Sequence, residues 1–396
     1  MELSVGKSVE NVYIFVADAL RYDSVPSTLE QQGTLVKTAS SSPLSCSAFS
    51  SLVSGKYPPQ HGVWSFSHLL GTEQTIFDLF PGESPFRFGV RAVTDSVDSA
   101  VHYSSESSFT EAIHRTNPPF LVVDRDLSAH APYGYDMASP ETPDEQKQYT
   151  SLSQYWSSRA ADPSSMKEDY QRGAQMAYSR FESRIDALRE KGVLDDTLVI
   201  VTADHGEVLG EHGMYGHAPS LVSESVYVPT LFYDGGVQVD VSGDFMAQVD
   251  LFPTLCALKD RPFPDNLPGY NLLEGAPDDR LVFNAKRRRY TSWGAWDKDG
   301  GHAFSDHGFA GKILSGVNRL IRTDDAKLNR RRPLQVLRTC YNRDRCFGAP
   351  NHSREEARQF CNRVFSGEIE STRQRLDQTA REQLEALGYT ESEIEG

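Results

Sequence analysis

Three runs of apolar residues lead into side chains that can bind a metal ion. The run Asn11–Ala17 stops at Asp18, and the run Thr197–Val201 is followed by Asp204 and His205. Such β-branched runs predict buried parallel strands. Ligands of open α/β sheets bind outside the carboxyl ends of the strands, and a carboxylate beside an imidazole suits Zn, Mn or Fe. The sequence therefore predicts a metal site at one edge of a sheet.

The third run has the same form. Residues 119–123 are Pro-Phe-Leu-Val-Val, and they lead into Asp124, Asp126 and then His130. A simpler interpretation of Asp204 and its neighbour is a carboxylate that caps the next turn beside a surface histidine. One such strand end is common, whereas three of them favour a shared site.

Composition narrows the class of protein. The chain has 396 residues, of which 38% are hydrophobic, so one large α/β domain and a smaller one are expected. A net charge of −15 argues against non-specific binding of nucleic acid. No apolar run approaches the ~20 residues that span a bilayer, and the first residues lack an apolar signal segment. We therefore expect a cytoplasmic protein without a membrane span, whose five cysteines are ordinary reduced thiols.

Two clusters of basic residues stand out against the acidic background. They lie at residues 286–289 and 330–332. Each cluster has two interpretations, a site for an anionic substrate or partner and a solvated face.

Alternating strand and helix patterns predict a large, mostly parallel sheet that is covered by helices. The clearest helix is expected over residues 165–192, where apolar residues recur every three or four positions. We expect a long surface loop over 134–164 and short antiparallel strands at 311–314 and 318–322. The predicted domains are a catalytic domain at 8–275 and a C-terminal α+β subdomain at 276–396, with a small antiparallel sheet and terminal helices.

Several short motifs occur in a fixed order along the chain. They are Val16-Ala17-Asp18-Ala19-Leu20-Arg21, Ser42-Pro43-Leu44-Ser45, Leu52-Val53-Ser54-Gly55-Lys56-Tyr57-Pro58, His61-Gly62, His130-Ala131-Pro132-Tyr133, Asp204-His205-Gly206-Glu207, Gly210-Glu211-His212-Gly213, Tyr215-Gly216-His217 and Val249-Asp250-Leu251-Phe252-Pro253-Thr254. In this order the chain resembles the sulfatase-like branch of the alkaline phosphatase superfamily over most of residues 11–275. The resemblance implies the alkaline phosphatase-like fold and a metal-dependent ester hydrolase.

The resemblance also implies a nucleophile. Sulfatases carry Cys-x-Pro-x-Arg, with the cysteine ten residues before the glycine that Gly55 matches here, and the same count reaches Ser45. The Pro and Arg that direct conversion to formylglycine are missing after Ser45, and Cys46 lacks them too. We therefore expect Ser45 to act unmodified, as in the phosphatase and phosphodiesterase members.

By the same resemblance, Asp18, Ser45, Asp204 and His205 would hold one divalent ion. Ala19 stands where many sulfatases have a second calcium-binding Asp, so Mn or Zn is expected ahead of Ca or Mg.

Two histidines complete the predicted site. His130 and His217 would protonate the leaving group or bind ester oxygens. In an alternative with two ions, Asp126, His130 and His217 would hold the second one.

The expected function is hydrolysis of phosphate mono- or diesters through a covalent intermediate on Ser45. The first alternative is a sulfuric ester hydrolase that acts on a sulfated glycan or a small sulfate ester. Further alternatives are a transferase of phospho-head groups and a non-catalytic member that only binds. The substrate is a small molecule or a glycan in either hydrolase, and the sequence leaves the oligomeric state open.

Overall fold

The structure is a computed structural model of the whole chain. It describes residues 1–70, 74–80, 113–114, 117–134, 149, 152–216, 221–323, 325–370, 376, 378–386 and 391–394. Everything below refers to these residues.

The chain forms fourteen strands within the described ranges. They are β1 (Glu2–Val5), β2 (Asn11–Ala17), β3 (Gly33–Ala39), β4 (Leu121–Asp126), β5 (Thr197–Thr202), β6 (Val208–Leu209), β7 (Tyr215–Gly216), β8 (Tyr227–Tyr233), β9 (Val239–Ser242), β10 (Phe245–Ala247), β11 (Val282–Arg287), β12 (Thr291–Trp296), β13 (Gly300–Ser305) and β14 (Cys346–Gly348).

The central sheet has six strands in the order β10-β3-β8-β5-β2-β4. Strand β2 pairs in parallel with both β4 and β5, and β10 pairs in parallel with β3. Only β8 runs against its neighbours β3 and β5. The expected large, mostly parallel sheet is confirmed, with β8 as the exception that makes it a mixed sheet.

The helices are α1 (Ser27–Glu30), α2 (Ser45–Ser54), α3 (Pro58–His61), α4 (Leu152–Arg159), α5 (Ser165–Lys191), α6 (Ser223–Val226), α7 (Leu251–Leu258), α8 (Phe309–Ile321), α9 (Ala326–Asn329), α10 (Pro333–Tyr341), α11 (Arg354–Ser366), α12 (Gln378–Ala386) and α13 (Glu391–Ile394). Short 3₁₀ turns lie at Tyr22–Ser24, Ile76–Leu79, Leu194–Asp196, Glu211–Gly213 and Gln248–Asp250.

Both faces of the central sheet are covered, which explains the unbroken apolar runs in its strands. On β2, Val12, Ile14 and Val16 belong to a core that also contains apolar residues of α2 and α7. The alternate residues Tyr13 and Phe15 belong to a second core with residues of α5. Successive side chains of a strand point to opposite faces, so one strand contributes to two cores.

The C-terminal part contains a four-stranded antiparallel sheet in the order β11-β12-β13-β14. It joins the main body directly, because the amide of Ala285 donates to the carbonyl of Ser41 at 3.0 Å. Asn284 Nδ2 also donates to the carbonyl of Ser40 at 2.7 Å. The boundary after residue 275 stays a prediction.

Two predictions about local structure were wrong. The expected strands at 311–314 and 318–322 are one helix, α8, whose apolar residues recur every four positions, a helical period that short windows conceal. The first half of the expected surface loop at 134–164 lies largely outside the described residues, but its second half contains α4, which buries Tyr155 and Trp156. The predicted helix at 165–192 is confirmed as α5. Within the described ranges no helix has the length and apolar character needed to cross a membrane.

Candidate active site

The central strands bring the predicted metal ligands to one edge of the sheet. Asp18 follows β2 directly, and its amide donates to the carbonyl of Asp126 at 2.8 Å, which extends the β2–β4 ladder by one step. Val16 is in register with Thr202, so Asp204 and His205 emerge beside Asp18. The parallel register of β2 and β5 thus brings Asp18 close to Asp204 and His205, although they are far apart in the sequence.

Asp18, Asp204 and His205 form a cluster that can hold a metal ion. One ligand atom from each lies within 4.8 Å of the others, and all three residues are fully buried. Asp18 Oδ1 and Asp204 Oδ2 accept no hydrogen bond from any residue in the described ranges. A buried carboxylate oxygen without a partner is costly, and a divalent cation removes that cost. The donor set of two carboxylates and one imidazole therefore fits a divalent ion.

The turn after β5 fixes Asp204 from several sides. Its Oδ1 accepts from the amides of Ala19 at 3.2 Å and His205 at 2.9 Å. Its carbonyl accepts from Ser40 Oγ and from Gln248 Nε2, both at 2.7 Å. These bonds hold the carboxylate so that Oδ2 alone remains for a ligand.

His205 presents one ring nitrogen to the site. Its Nδ1 donates to the carbonyl of Gly206 at 3.0 Å, which leaves Nε2 with the lone pair. Nε2 lies 3.2 Å from Ser45 Oγ and 3.5 Å from Asp204 Oδ2. Burial lowers the pKa of His205, but the charges of Asp204 and Asp18 outweigh burial and raise the pKa above its ordinary value.

Ser45 is the first residue of α2, and the helix is buried along its whole length. Its Oγ accepts a hydrogen bond from Arg125 Nη2 at 3.0 Å, besides the contact with His205. A helix N-terminus favours negative charge, because its first amides have no partners within the helix. The predicted nucleophile therefore lies where an oxyanion would be stabilised.

Arg125 is a site residue that the sequence analysis missed. Its Nε donates to Asp18 Oδ2 at 2.6 Å, and its Nη2 contacts the same oxygen. The guanidinium is also 5.3 Å from the ring centre of Phe49. Burial alone would raise the pKa of Asp18, but the charge of Arg125, followed by those of two histidines, holds it below its ordinary value.

Alternation along β4 explains why Arg125 reaches the site. Asp124 accepts from Arg184 Nε at 3.0 Å and Asp126 from Arg180 Nη1 at 2.9 Å, and both arginines belong to α5. Arg125, between them, points to the opposite face, towards α2. The signal for Arg125 was its position in a predicted buried strand, because an arginine is rarely buried unless it has a charged partner.

His130 lies in the electrostatic field of the cluster. Its Nδ1 is 2.7 Å from the carbonyl of Ala131, and the side chain is buried. Burial lowers the pKa of His130, and the negative charge of Asp18 opposes this only in part. His217, the other predicted acid, lies outside the described residues, so its role stays a prediction.

Asp126, the third residue of the alternative second metal site, is already engaged. Its Oδ1 accepts from the amide of Ser128 at 2.9 Å, and its Oδ2 binds Arg180. Among the described residues, the only group with metal-binding spacing is that of Asp18, Asp204 and His205. This arrangement favours one ion, although the predicted second site remains a prediction because it includes His217.

Cys46, the neighbour of Ser45, has the environment of a structural thiol. It is buried, and burial raises the pKa of its thiol to about 12. A thiol with such a pKa carries almost no nucleophilic thiolate at neutral pH. Cys46 and the other four cysteines are free, as expected from the sequence.

A set of charged side chains holds the segment that leads to His217. Arg21 donates to Glu211 Oε1 at 3.0 Å, and the amide of Leu209 donates to the other oxygen of Glu211 at 2.7 Å. His212 Nε2 lies 3.3 Å from Glu224 Oε2. Glu211 and His212 therefore support the segment.

Comparison with known proteins identifies relatives among the sulfatases. A family model described as Sulfatase matches residues 94–260. The low-salt glycan biosynthesis sulfotransferase Agl7 of Haloferax volcanii is 32% identical over 327 residues, which cover 76% of this chain and 75% of that protein. Arylsulfatase K of Bos taurus is 37% identical over 93 residues, which cover 23% of this chain and 17% of that protein.

Solved structures share the fold. A 2-O GAG sulfatase, BT1596, aligns with a TM-score of 0.56 and 18% identity over 75% of this chain and 83% of that one. The phosphonate monoester hydrolase of Agrobacterium radiobacter aligns with a TM-score of 0.55 and 17% identity over 84% of this chain and 96% of that one.

The mixed α/β sheet matches that of the sulfatases and the phosphonate monoester hydrolase, which makes the chain an ester hydrolase by class, and the buried acid–histidine cluster at the edge of its sheet can hold a divalent ion. The chain belongs to the sulfatase family, within the alkaline phosphatase superfamily.

Proposed function

We propose that this protein cleaves sulfate or phosphate esters by attack of an unmodified Ser45. The observation that carries the proposal is the position of Ser45 Oγ, 3.0 Å from Arg125 and 3.2 Å from His205, at the edge of the acidic cluster. A nucleophile, a fixed cation and a metal-binding group therefore converge on one buried point, as group transfer to a hydroxyl requires.

Each residue has a role in this proposal. Asp18, Asp204 and His205 would hold the ion, with Ser45 Oγ beside them. A bound divalent cation supplies Lewis acidity and lowers the pKa of a coordinated hydroxyl. Mn or Zn suits the imidazole donor better than Ca or Mg does.

The other groups act on the ester and its leaving group. The guanidinium of Arg125 and the N-terminus of α2 would bind oxygens of the transferred group, where charge accumulates in the transition state. His217 is proposed to donate a proton to the leaving oxygen. His130 is proposed to do the same only as the imidazolium, the form that the negative charge of Asp18 favours and that burial opposes by lowering its pKa. Attack breaks the O–H bond of Ser45, whose proton passes to water, and forms the bond from Oγ to sulfur or phosphorus. The bond to the leaving oxygen breaks in the same step. Water then releases the group and restores the hydroxyl.

The charge of the site restricts the substrate. While the Ser45 hydroxyl is still neutral, the carboxylates of Asp18 and Asp204 balance one divalent ion, and Arg125 leaves a surplus of one positive charge for the bound substrate. A transferred group with one negative charge balances this surplus, whereas a phosphate monoester dianion exceeds it. Sulfate esters and phosphate diesters are therefore proposed ahead of the phosphate monoesters that the sequence analysis included.

A sulfate ester on a glycan is our first candidate. The relative with the longest match reported above is named a glycan biosynthesis sulfotransferase, and a shorter match is an arylsulfatase. The name of the first relative also suggests another acceptor for the second step. If a sugar hydroxyl took the place of water, the covalent intermediate on Ser45 would transfer its sulfuryl group to the sugar. A phosphate diester is the second candidate, favoured by the absence of the Pro and Arg that direct formylglycine formation after Ser45.

The test measures turnover of nitrophenyl sulfate, bis-nitrophenyl phosphate and nitrophenyl phosphate, each with Mn or Zn supplied. We expect the two monoanionic transferred groups to be cleaved faster than the dianionic one. Ser45→Ala should abolish turnover, and intact-mass analysis of rapidly quenched wild type should show one sulfuryl or phosphoryl group on Ser45. Ser54→Ala is the matched control, because Ser54 lies at the other end of α2. Its hydroxyl donates to the carbonyl of Ser50 and accepts from the amide of Lys56, away from the cluster.

Two outcomes would contradict the proposal. Turnover that survives Ser45→Ala would remove Ser45 as the nucleophile. Formylglycine found at position 45 or 46 by peptide mass analysis would replace the unmodified hydroxyl with the modified sulfatase mechanism.

A further inference from the structure

Helix α8 exposes apolar side chains along one face. Phe309, Ile313, Val317 and Ile321 follow each other at intervals of four residues, with exposed fractions of 69%, 45%, 38% and 67%. Residues at this spacing lie on one side of a helix. A helix on the surface of a globular protein usually turns such a stripe towards the core, so α8 has the opposite orientation.

Polar contacts and small residues on the inner side fix this orientation. Ser315 Oγ accepts from Arg343 Nη2 at 2.5 Å, and Arg319 Nη1 donates to Asp325 Oδ2 at 2.6 Å. Gly316 lies so close to Leu337 of α10 that a Cβ atom there would be 2.8 Å from a methyl carbon. Rolling the helix to bury its apolar stripe would break both polar contacts and this close packing.

Helix α10 continues the apolar surface. Leu334 is 81% exposed and Tyr341 is 48% exposed. The rings of Phe309 and Tyr341 are in contact, with centroids 6.1 Å apart, so the two helices form one surface. We name this surface the apolar face, and it consists of Phe309, Ile313, Val317, Ile321, Leu334 and Tyr341.

Positive charge is concentrated in the segment that carries the apolar face. Residues 309–341 contain eight Lys or Arg residues and two Asp residues, in a chain whose net charge is −15. Six of these cations are exposed, namely Arg322, Lys327, Arg330, Arg331, Arg332 and Arg338. A surplus of six positive charges beside exposed apolar residues distinguishes this segment from the acidic remainder of the protein.

We propose that the apolar face docks on the surface of a lipid bilayer that carries anionic headgroups. Apolar side chains of an amphipathic helix enter the boundary between headgroups and acyl chains, and nearby Lys and Arg residues bind the anionic headgroups. A bilayer satisfies both features at once. A second copy of this chain across a two-fold axis would place the two positively charged surfaces against each other.

The experiment uses the full chain and two kinds of vesicle. One kind is phosphatidylcholine alone, and the other is phosphatidylcholine and phosphatidylglycerol in equal parts. We expect co-sedimentation with the anionic vesicles only, and weaker binding as salt is added, because salt screens the headgroup attraction.

The decisive variant combines Phe309→Asp, Ile321→Asp and Leu334→Asp. These three side chains are the most exposed of the apolar face, so the fold should tolerate the change. Binding to anionic vesicles should fall by at least about tenfold, since three apolar anchors become charged. Ile369→Asp is the matched control, because Ile369 is 37% exposed and lies outside the apolar face. Unchanged melting temperature and unchanged turnover of a soluble ester check that the variant is folded.

A second variant tests the charges without touching the apolar residues. Arg330→Gln, Arg331→Gln and Arg332→Gln together should weaken binding to the anionic vesicles and reduce its salt dependence. This variant keeps the proposal testable if the first one fails to fold.

Three results would overturn the proposal. They are the absence of binding to anionic vesicles at low salt, binding that neither variant weakens, and a wild-type dimer in sedimentation that the Asp variant dissociates. The last result would assign the apolar face to a second copy of the chain.

Discussion

The active-site edge buries charged side chains, whereas helices α8 and α10 expose apolar ones. Asp18, Arg125 and Asp204 are less than 4% exposed, and Phe309 and Leu334 are 69% and 81% exposed. Both regions reverse the usual partition of residues between interior and surface. The two regions differ in where the stabilising partners lie. The chain itself supplies most partners of the buried charges. The exposed apolar side chains gain by burial only from something outside the chain. A metal at the first region and a lipid surface at the second are the proposed external partners.

The largest expected effect comes from breaking the buried cluster. His205→Ala should lower turnover by on the order of 10³-fold or more, because it removes both a metal ligand and a neighbour of Ser45 Oγ. Elemental analysis of the purified variant should show less than the stoichiometric ion of the wild type. His114→Ala, a change at an exposed histidine, should leave both values unchanged. Full metal occupancy in the His205 variant would exclude it as a ligand.

Two phenylalanine substitutions compare how much buried and exposed side chains contribute to the free energy of unfolding. Phe49 on α2 is 2% exposed, and Phe309 on α8 is 69% exposed. Phe49→Ala should lower the free energy of unfolding by about 3–5 kcal/mol, the usual cost of a core phenylalanine. Phe309→Ala should change it by no more than about 0.5 kcal/mol, as for most surface substitutions. Denaturant titration measures both, and equal losses would show that Phe309 is packed in the free protein.

Arg125→Lys tests whether the shape of the buried cation matters. A lysine keeps the charge beside Asp18 but cannot reproduce the planar fork that contacts Asp18 and Ser45 together. We expect kcat/KM to fall by about 10- to 100-fold, most of it in kcat, with metal content unchanged. Arg172→Lys, at a side chain that is 45% exposed, is the control. A wild-type kcat in the Arg125 variant would assign the guanidinium a purely structural role.

The smallest expected effect is the loss of stability in acid that His307 causes. This histidine lies in the loop before α8. Burial, followed by the positive charges of Arg343 and Lys286, lowers the pKa of His307 to about 4. Because the unfolded chain binds a proton near pH 6.5 and the folded protein does not, the stability present above that pH decreases as the pH falls towards 4. His307→Gln should reduce the loss of melting temperature between neutral and acidic pH. The expected amount is worth about 1 kcal/mol, well below the full pKa difference, because solvent screens a group that is only half buried. An identical acid loss in wild type and variant would contradict this assignment.

Much of the sheet edge could be predicted because its determinants are local in sequence. A β-branched run followed by Asp or His predicts both a strand and a ligand at its end, and the structure places Asp18 and Asp204 together. Arg125 could not be found in this way, because its role depends on which face of β4 meets α2. Helix α8 was misassigned since its apolar stripe was taken for strands, and its exposure depends on the contacts of Arg319 and Ser315 with distant residues.

The position of β4 has a consequence for the behaviour of the protein at high concentration. Among the described strands, β4 lies at the end of the central sheet and pairs with β2 alone. An apolar strand in this position can recruit the edge of another molecule and start aggregation. The carboxyl half of β4 is Asp124-Arg125-Asp126, with its charges held by α5 on one face and by Asp18 on the other. These buried ion pairs fasten both faces of β4 to the rest of the fold. The contacts that position Arg125 in the active site therefore also oppose the local opening from which edge-to-edge association would start.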